Sequence, residues 1–217
     1  MSKTYSQFLD AVMPDVPGAT NTVVEAAIKN TIIAFCEKSL ILQRDHDPLS
    51  TIQGVKDYDF EPSTGELVVK VMRAWFKSSE LVPLAPDDIG RPEIYNDTFA
   101  GADTTQSDPQ YFLQKDERTF TLYPTPSATI GNAITMRVAF KPTRASTTVN
   151  DVLYEDYFEV IGHGAKYRLM GSIGKPYYNQ AGAAAELAQY TIGVNAATQK
   201  AVRGHVRSDL SVQQRSA

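Results

Sequence analysis

The sequence predicts an α+β protein in which a small helical bundle is interrupted by an inserted antiparallel β-sandwich or barrel. Three observations carry this. Apolar residues recur at helical spacing from Thr22 to Gln43, the period falls to two between Thr51 and Thr143, and helical spacing returns after Asn150. The bundle is expected from residues 1–50 and 144–204, the β insert from 51–143, and a polar tail from 205–217.

In the first helix, Val24, Ile28, Ile32, Phe35 and Cys36 share one face, and Thr22 with Glu25 has the spacing of a capping box. Pro48 disfavours helix for the residue before it, so "RDHDPLS" reads as the loop that ends the helix. In the insert, "VKDYDF" alternates, "LVVKVMRAWF" reads as a buried strand, and "PEIYN", "YFLQ" and "RTFTLYP" are short strands. "STGE" (Ser63 to Glu66) and "IGNA" (Ile130 to Ala133) read as turns, and the polar run 96–109 as an exposed loop.

The second helix places Tyr154, Phe158, Ile161, Ala165 and Leu169 on one stripe, with Gly171 and Gly174 as the stop. Gly162 and Gly164 inside it each cost about 1 kcal/mol against alanine, which a closely packed neighbouring helix would offset. Pro176 suits the first position of the third helix. There Ala183, Leu187, Tyr190, Val194, Ala197 and Ala201 form a narrow seam of mostly small side chains.

Composition limits the function. The 217 residues carry a net charge of -4 and a pI near 5.4, without the basic stripe expected of a protein that grips phosphates. The single cysteine, Cys36, cannot form an internal disulfide and reads as a small buried hydrophobe. The N-terminus has no signal-peptide core and no window has the length and apolarity of a membrane span, so a soluble protein made in the host cytoplasm is expected.

Reactive constellations are scarce. Asp45, His46 and Asp47 are adjacent and cannot easily converge on one ion, so no metal is expected. "GHGAKYRLMGSIG" lacks a preceding strand and has Tyr167 where a dinucleotide loop needs glycine. The pairs Asp57/Asp59 and Asp87/Asp88 read as solvated surface, and the sequon at Asn96 has no meaning without secretion. Three histidines scattered along the chain make acid–base catalysis hard to assemble. No enzyme and no cofactor are expected.

The order of these pieces resembles the head-to-tail adaptor (connector, or neck) proteins of tailed bacteriophages. It is carried by "IQGVKDYDFEP", "LVVKVMRAWF", Gly90-Arg91-Pro92-Glu93-Ile94-Tyr95, Leu122-Tyr123-Pro124-Thr125-Pro126, a strand ending at Lys141-Pro142, and the helix "DVLYEDYFEVIGHGAKYRLM". The resemblance implies a structural virion protein and a ring, usually twelve-fold, below the portal protein and above the tail nozzle or tube. Double-stranded DNA would pass through during ejection without sequence-specific contact, and a mildly acidic conduit suits that.

It also implies an extended C-terminal arm that embraces the portal; the basic tail, with Arg203, His205, Arg207, Leu210 and Arg215, would be that arm. Tyr154, Tyr157, Tyr167, Tyr177, Tyr178 and Tyr190 on the helices are candidate subunit contacts, because tyrosine is enriched at interfaces. A second reading makes the insert a tail or baseplate module that binds a carbohydrate or receptor through Trp75, Phe76 and the loop 96–109. A lone strand tryptophan is more often a core residue.

Overall fold

Strand Gln43–Thr51 occupies the place where the sequence predicts a helix end and a loop, and it begins one of two compact units. The computed structural model describes residues 2–85 and 106–203. One unit is built from the described residues up to Ile41 and from Asn150 onward, the other from Leu42–Val149.

The helical unit opens with strand β1 (Ser2–Thr4) and two 3-10 segments, Tyr5–Ala11 and Met13–Asp15. Tyr5, Phe8, Val12 and Val16 are all buried, so the leader is part of the core rather than an appendage. Helix α1 (Asn21–Ser39) is shorter than its apolar spacing suggests. Leu40 turns left-handed at φ 52, and its N–H donates to the Cys36 carbonyl at 3.0 Å, which closes the helix. Thr20 occupies the N-cap position without a side-chain cap bond, so the Thr22/Glu25 box is not the start signal.

Helix α2 (Asp151–Met170) is capped by Asn150, whose Oδ1 accepts from the Val152 N–H at 3.0 Å. Its backbone leaves helical geometry at Tyr157 (φ -130, ψ 17). Leu153 and Tyr157 lie in the core, while Tyr154 and Phe158 are half-buried against Phe8. Helix α3 (Gln180–Arg203) starts after Pro176, because Asn179 caps it with Oδ1 accepting from the Gly182 N–H at 3.0 Å.

The helical glycines mark close approach. A β-carbon at Gly162 would stand 2.9 Å from Ala11 Cβ, and one at Gly164 only 2.4 Å from Thr31 Cγ2 and 2.7 Å from Tyr190 Cδ2. Gly164 is thus where α1, α2 and α3 meet.

The β unit holds β2 (Gln43–Thr51), β3 (Asp57–Asp59), β4 (Glu66–Phe76), β5 (Ser79–Glu80), β6 (Val82–Pro83), β7 (Gln106–Ser107), β8 (Tyr111–Gln114), β9 (Thr119–Tyr123), β10 (Thr125–Pro126) and β11 (Ile130–Pro142); β12 (Thr148–Asn150) leads into α2. One antiparallel sheet runs in the order β2-β11-β4-β5. A second runs β3-β9-β8-β6, with only β6 and β8 parallel. Both sheets contribute to one apolar core that includes Val68, Val71, Phe76, Phe112, Phe120, Leu122, Ile134 and Val138. No barrel closes among the described residues: each four-stranded sheet ends in open edges.

Two local expectations are corrected. Strand β2 tolerates Pro48 because it is an edge strand whose register shifts between Leu49 and His46, leaving Asp47 and Pro48 in a bulge. "IGNA" is no hairpin turn but the irregular start of β11, where Asn132 takes the positive φ (51) that the Gly-Asn pair tolerates. "STGE" does turn, with Gly65 at φ 86 and the Glu66 N–H donating to the Ser63 carbonyl at 3.0 Å.

Candidate functional site

Strand alternation decides the fate of "RDHDP". His46 points inward against Phe60 and its Nδ1 lies 2.7 Å from the Asp47 carbonyl, while Asp45 and Asp47 are exposed on the other side. Among the described residues, His, Cys, Asp and Glu nowhere gather in a group of three able to hold a metal ion. Asp87, Asp88 and Asn96 lie outside the described residues. Cys36 is fully buried, and burial pushes its thiol pKa up.

In the β unit, Phe76 is core, and Trp75 is half-buried on the opposite face of β4. A cleft of about 370 Å³ opens beside Phe76, Lys77, Glu80, Asp108 and Tyr111, and the Lys77–Asp108 ion pair (3.0 Å) holds it across. Trp75 does not line it.

The helical unit is knitted by ion pairs. Lys3 reaches Glu155 (3.3 Å) and Asp151 (3.6 Å), and its hydrogen bond to Glu155 is the main cause that raises its pKa. Lys166 bridges Asp15 (3.0 Å) and Glu186 (3.5 Å), and the other Glu186 oxygen meets His163 Nδ1 at 2.5 Å. Lys200 of α3 holds Asp156 of α2 at 2.9 Å. Leader, α2 and α3 are thereby tied by their charged residues.

The six candidate tyrosines are placed differently from one another. Tyr157, Tyr177 and Tyr190 are buried in the chain's own packing. Tyr157 tilts onto Phe35 with ring centroids 5.1 Å apart. Burial pushes the Tyr190 hydroxyl up to about 12, and that hydroxyl meets no hydrogen-bond partner among the described residues. Tyr167 stacks on Tyr190 (6.2 Å), Tyr154 packs edge-on to Phe8 (5.3 Å), and Tyr178 is exposed.

Of the predicted arm, Arg203 is the exposed last residue of α3; His205, Arg207, Leu210 and Arg215 lie outside the described residues, as do residues 90–95 and most of the loop 96–109. Lys141, near the end of β11, is buried and paired with Glu117.

A surface that the sequence reading passes over is the outer side of α3. Of the expected seam, Tyr190, Val194 and Ala197 are buried, but Leu187 is exposed. Ala181, Ala185, Ala188, Ile192, Asn195, Gln199 and Val202 are all exposed, at alternating spacings of four and three. The signal was present in the sequence as a long helix almost without charge.

No described helix is long and apolar enough to cross a membrane. Among curated proteins, none matches the chain. A family model described as SU10 adaptor protein does, over residues 3–214, which takes in both units. The family is structural rather than enzymatic, and its members bind other neck and tail components of the phage particle. The chain belongs to the SU10 adaptor protein family, a family of phage head-to-tail adaptors.

Proposed function

We propose that this adaptor assembles as a closed ring, twelve-fold, that joins the portal to the tail nozzle or tube and lines the channel through which DNA leaves. The observation that carries the reading is the family match across residues 3–214, which leaves neither unit outside the adaptor. The charge balance supports it: a chain of net charge -4 lets a polyanion slide without sticking. In this reading the helical unit makes the ring, with Tyr154, Tyr167 and Tyr178 near its contacts. The two sheets of the β unit act as a sandwich that offers a rigid face to the tail. The segment from Arg203 through His205, Arg207, Leu210 and Arg215 docks on the portal as an arm ordered by binding.

Mass photometry of the purified chain, alone and mixed with its portal ring, tests this. A discrete complex of one portal ring with one ring of adaptors is the expected result. A chain that stays monomeric and passes the portal by contradicts it.

A further inference from the structure

We propose that Arg168, in the last turn of α2, takes the carboxylate of Glu159 from a neighbouring copy of this chain, so that opposite sides of one helix form the two halves of a head-to-tail contact. The inference rests on the ring reading above, and the experiment below separates failure of the one from failure of the other.

Arg168 is a cation without an anion. Its Nε is enclosed with no hydrogen-bond partner among the described residues. The ion pairs around it, Lys166 with Asp15 and Glu186, and Lys200 with Asp156, leave it out. The guanidinium carbon lies 5.6 Å from the centre of the Tyr167 ring, which in turn stacks on Tyr190. The side chain is thereby held half-buried against the helices. A desolvated charge that lacks a partner is costly, and a planar guanidinium matches the two oxygens of a carboxylate.

The stretch around it is cationic in an acidic chain. Residues 160–185 contain Lys166, Arg168 and Lys175 and no Asp or Glu, whereas the whole chain carries -4, so the remainder carries -7. A second copy therefore brings the complementary charge with it. Ile173, in the same stretch, is 83% exposed; an aliphatic side chain gains from a protein surface and not from a phosphate backbone.

The other half of the contact follows from the helical carboxylates. On the three helices Glu37, Glu155, Asp156 and Glu159 are exposed. Glu155 is held by Lys3 and Asp156 by Lys200. Glu37 acts, as Arg168 does, on the Tyr190 hydroxyl of its own copy, which puts it on the side of Arg168. Glu159 has no ion-pair partner among the described residues. It stands nine residues before Arg168, and both lie after the kink at Tyr157. Nine residues are about two and a half turns, so the two side chains leave α2 on opposite sides. Val152, 44% exposed, accompanies Glu159 on the exposed side of the helix. Two complementary patches on different sides of one subunit make a heterologous contact, the kind that closes into a ring.

The test uses the full chain with its portal, read by mass photometry. Arg168→Glu sets carboxylate against carboxylate at every contact and Glu159→Arg sets cation against cation, so each variant alone should assemble at least about tenfold less well than wild type. An equimolar mixture of the two should recover assembly, because alternating copies restore an opposite-charge pair at every contact. Far-UV circular dichroism melts matching wild type show that both variants fold; should Arg168→Glu not fold, Glu159→Arg at its exposed position still decides. Wild-type rings together with unimpaired assembly of Glu159→Arg would overturn the contact and leave the ring reading standing. Two folded, impaired variants whose mixture stays impaired would overturn the pairing of Arg168 with Glu159. Wild-type chain that forms no ring on its portal would remove the ring reading, and this inference with it.

Discussion

Replacing Gly164 with alanine should destabilise the helical unit, although alanine is the better helix former. The added β-carbon would stand 2.4 Å from Thr31 Cγ2 and 2.7 and 2.8 Å from Tyr190 Cδ2 and Cε2. Carbon atoms rest about 3.5–4.0 Å apart, so α1 and α3 must both yield by about 1 Å. Neither is free to: Thr31 is fully buried and held by its hydroxyl donating to the Ala27 carbonyl at 2.8 Å, and Tyr190 is 3% exposed. Alanine gains about 1 kcal/mol of helix propensity. Overpacking costs about 1–3 kcal/mol, and with two rigid neighbours the upper end applies, leaving a net loss of about 2 kcal/mol. At roughly 2–4 °C per kcal/mol for a chain of this size, Tm should fall by about 4–8 °C.

Thermal melts followed by far-UV circular dichroism read this out. Adding Thr31→Ser, which removes the nearest methyl and keeps the hydroxyl, should recover part of the loss. A Gly164→Ala melt at or above wild type would refute the packing argument.

Phe8→Ala should cost about 3–5 kcal/mol, because the ring is fully buried between Tyr154 and Phe158; chemical denaturation would show it, and a surface leader would show almost none. Tyr190→Phe should hold or raise Tm at neutral pH, since it removes a buried hydroxyl without a partner. The Tyr190 pKa is raised to about 12, against about 10 in the unfolded chain. Its stability contribution is therefore full below pH ~10 and lost as pH rises to about 12, by about 2–3 kcal/mol; the phenylalanine variant should lose less in that window. For Asp57, burial acts to raise the carboxyl pKa, but hydrogen bonds from Lys115 (2.8 Å) and Thr121 (2.6 Å) outweigh it and hold it below the usual range. Its contribution is present above pH ~3.9 and lost as pH falls through the lower folded value. For a half-exposed pair that is below about 1 kcal/mol, and Asp57→Asn should abolish the difference in acid titration melts.

Much of the architecture was legible because period and burial coincide. Glu66–Phe76 announces itself as a continuous apolar run and Thr119–Tyr123 by alternation of residue type, and Gly162 and Gly164 announce close packing by standing where helix propensity opposes them. What was not legible depended on partners distant in sequence. Gln43–Thr51 is a strand because β11 pairs with it, and no local signal outweighs Pro48. The leader's packing was not legible either: Phe8 is buried against Tyr154 and Phe158 of α2, more than 140 residues away. The six tyrosines share a residue type and not an environment, so composition could not separate the buried Tyr157 and Tyr190 from the exposed Tyr178. The outer face of α3 was not legible because its uncharged residues interleave with the buried ones along one helix, and only the packing separates the two sets.

A single-particle reconstruction of the assembled phage neck bears on the ring reading with the fewest intermediate steps. It should find this chain as one closed ring between portal and tail, coaxial with the DNA, each copy touching two others through different faces. Copies bound singly to the particle, or a neck whose ring is built by other chains alone, would contradict it.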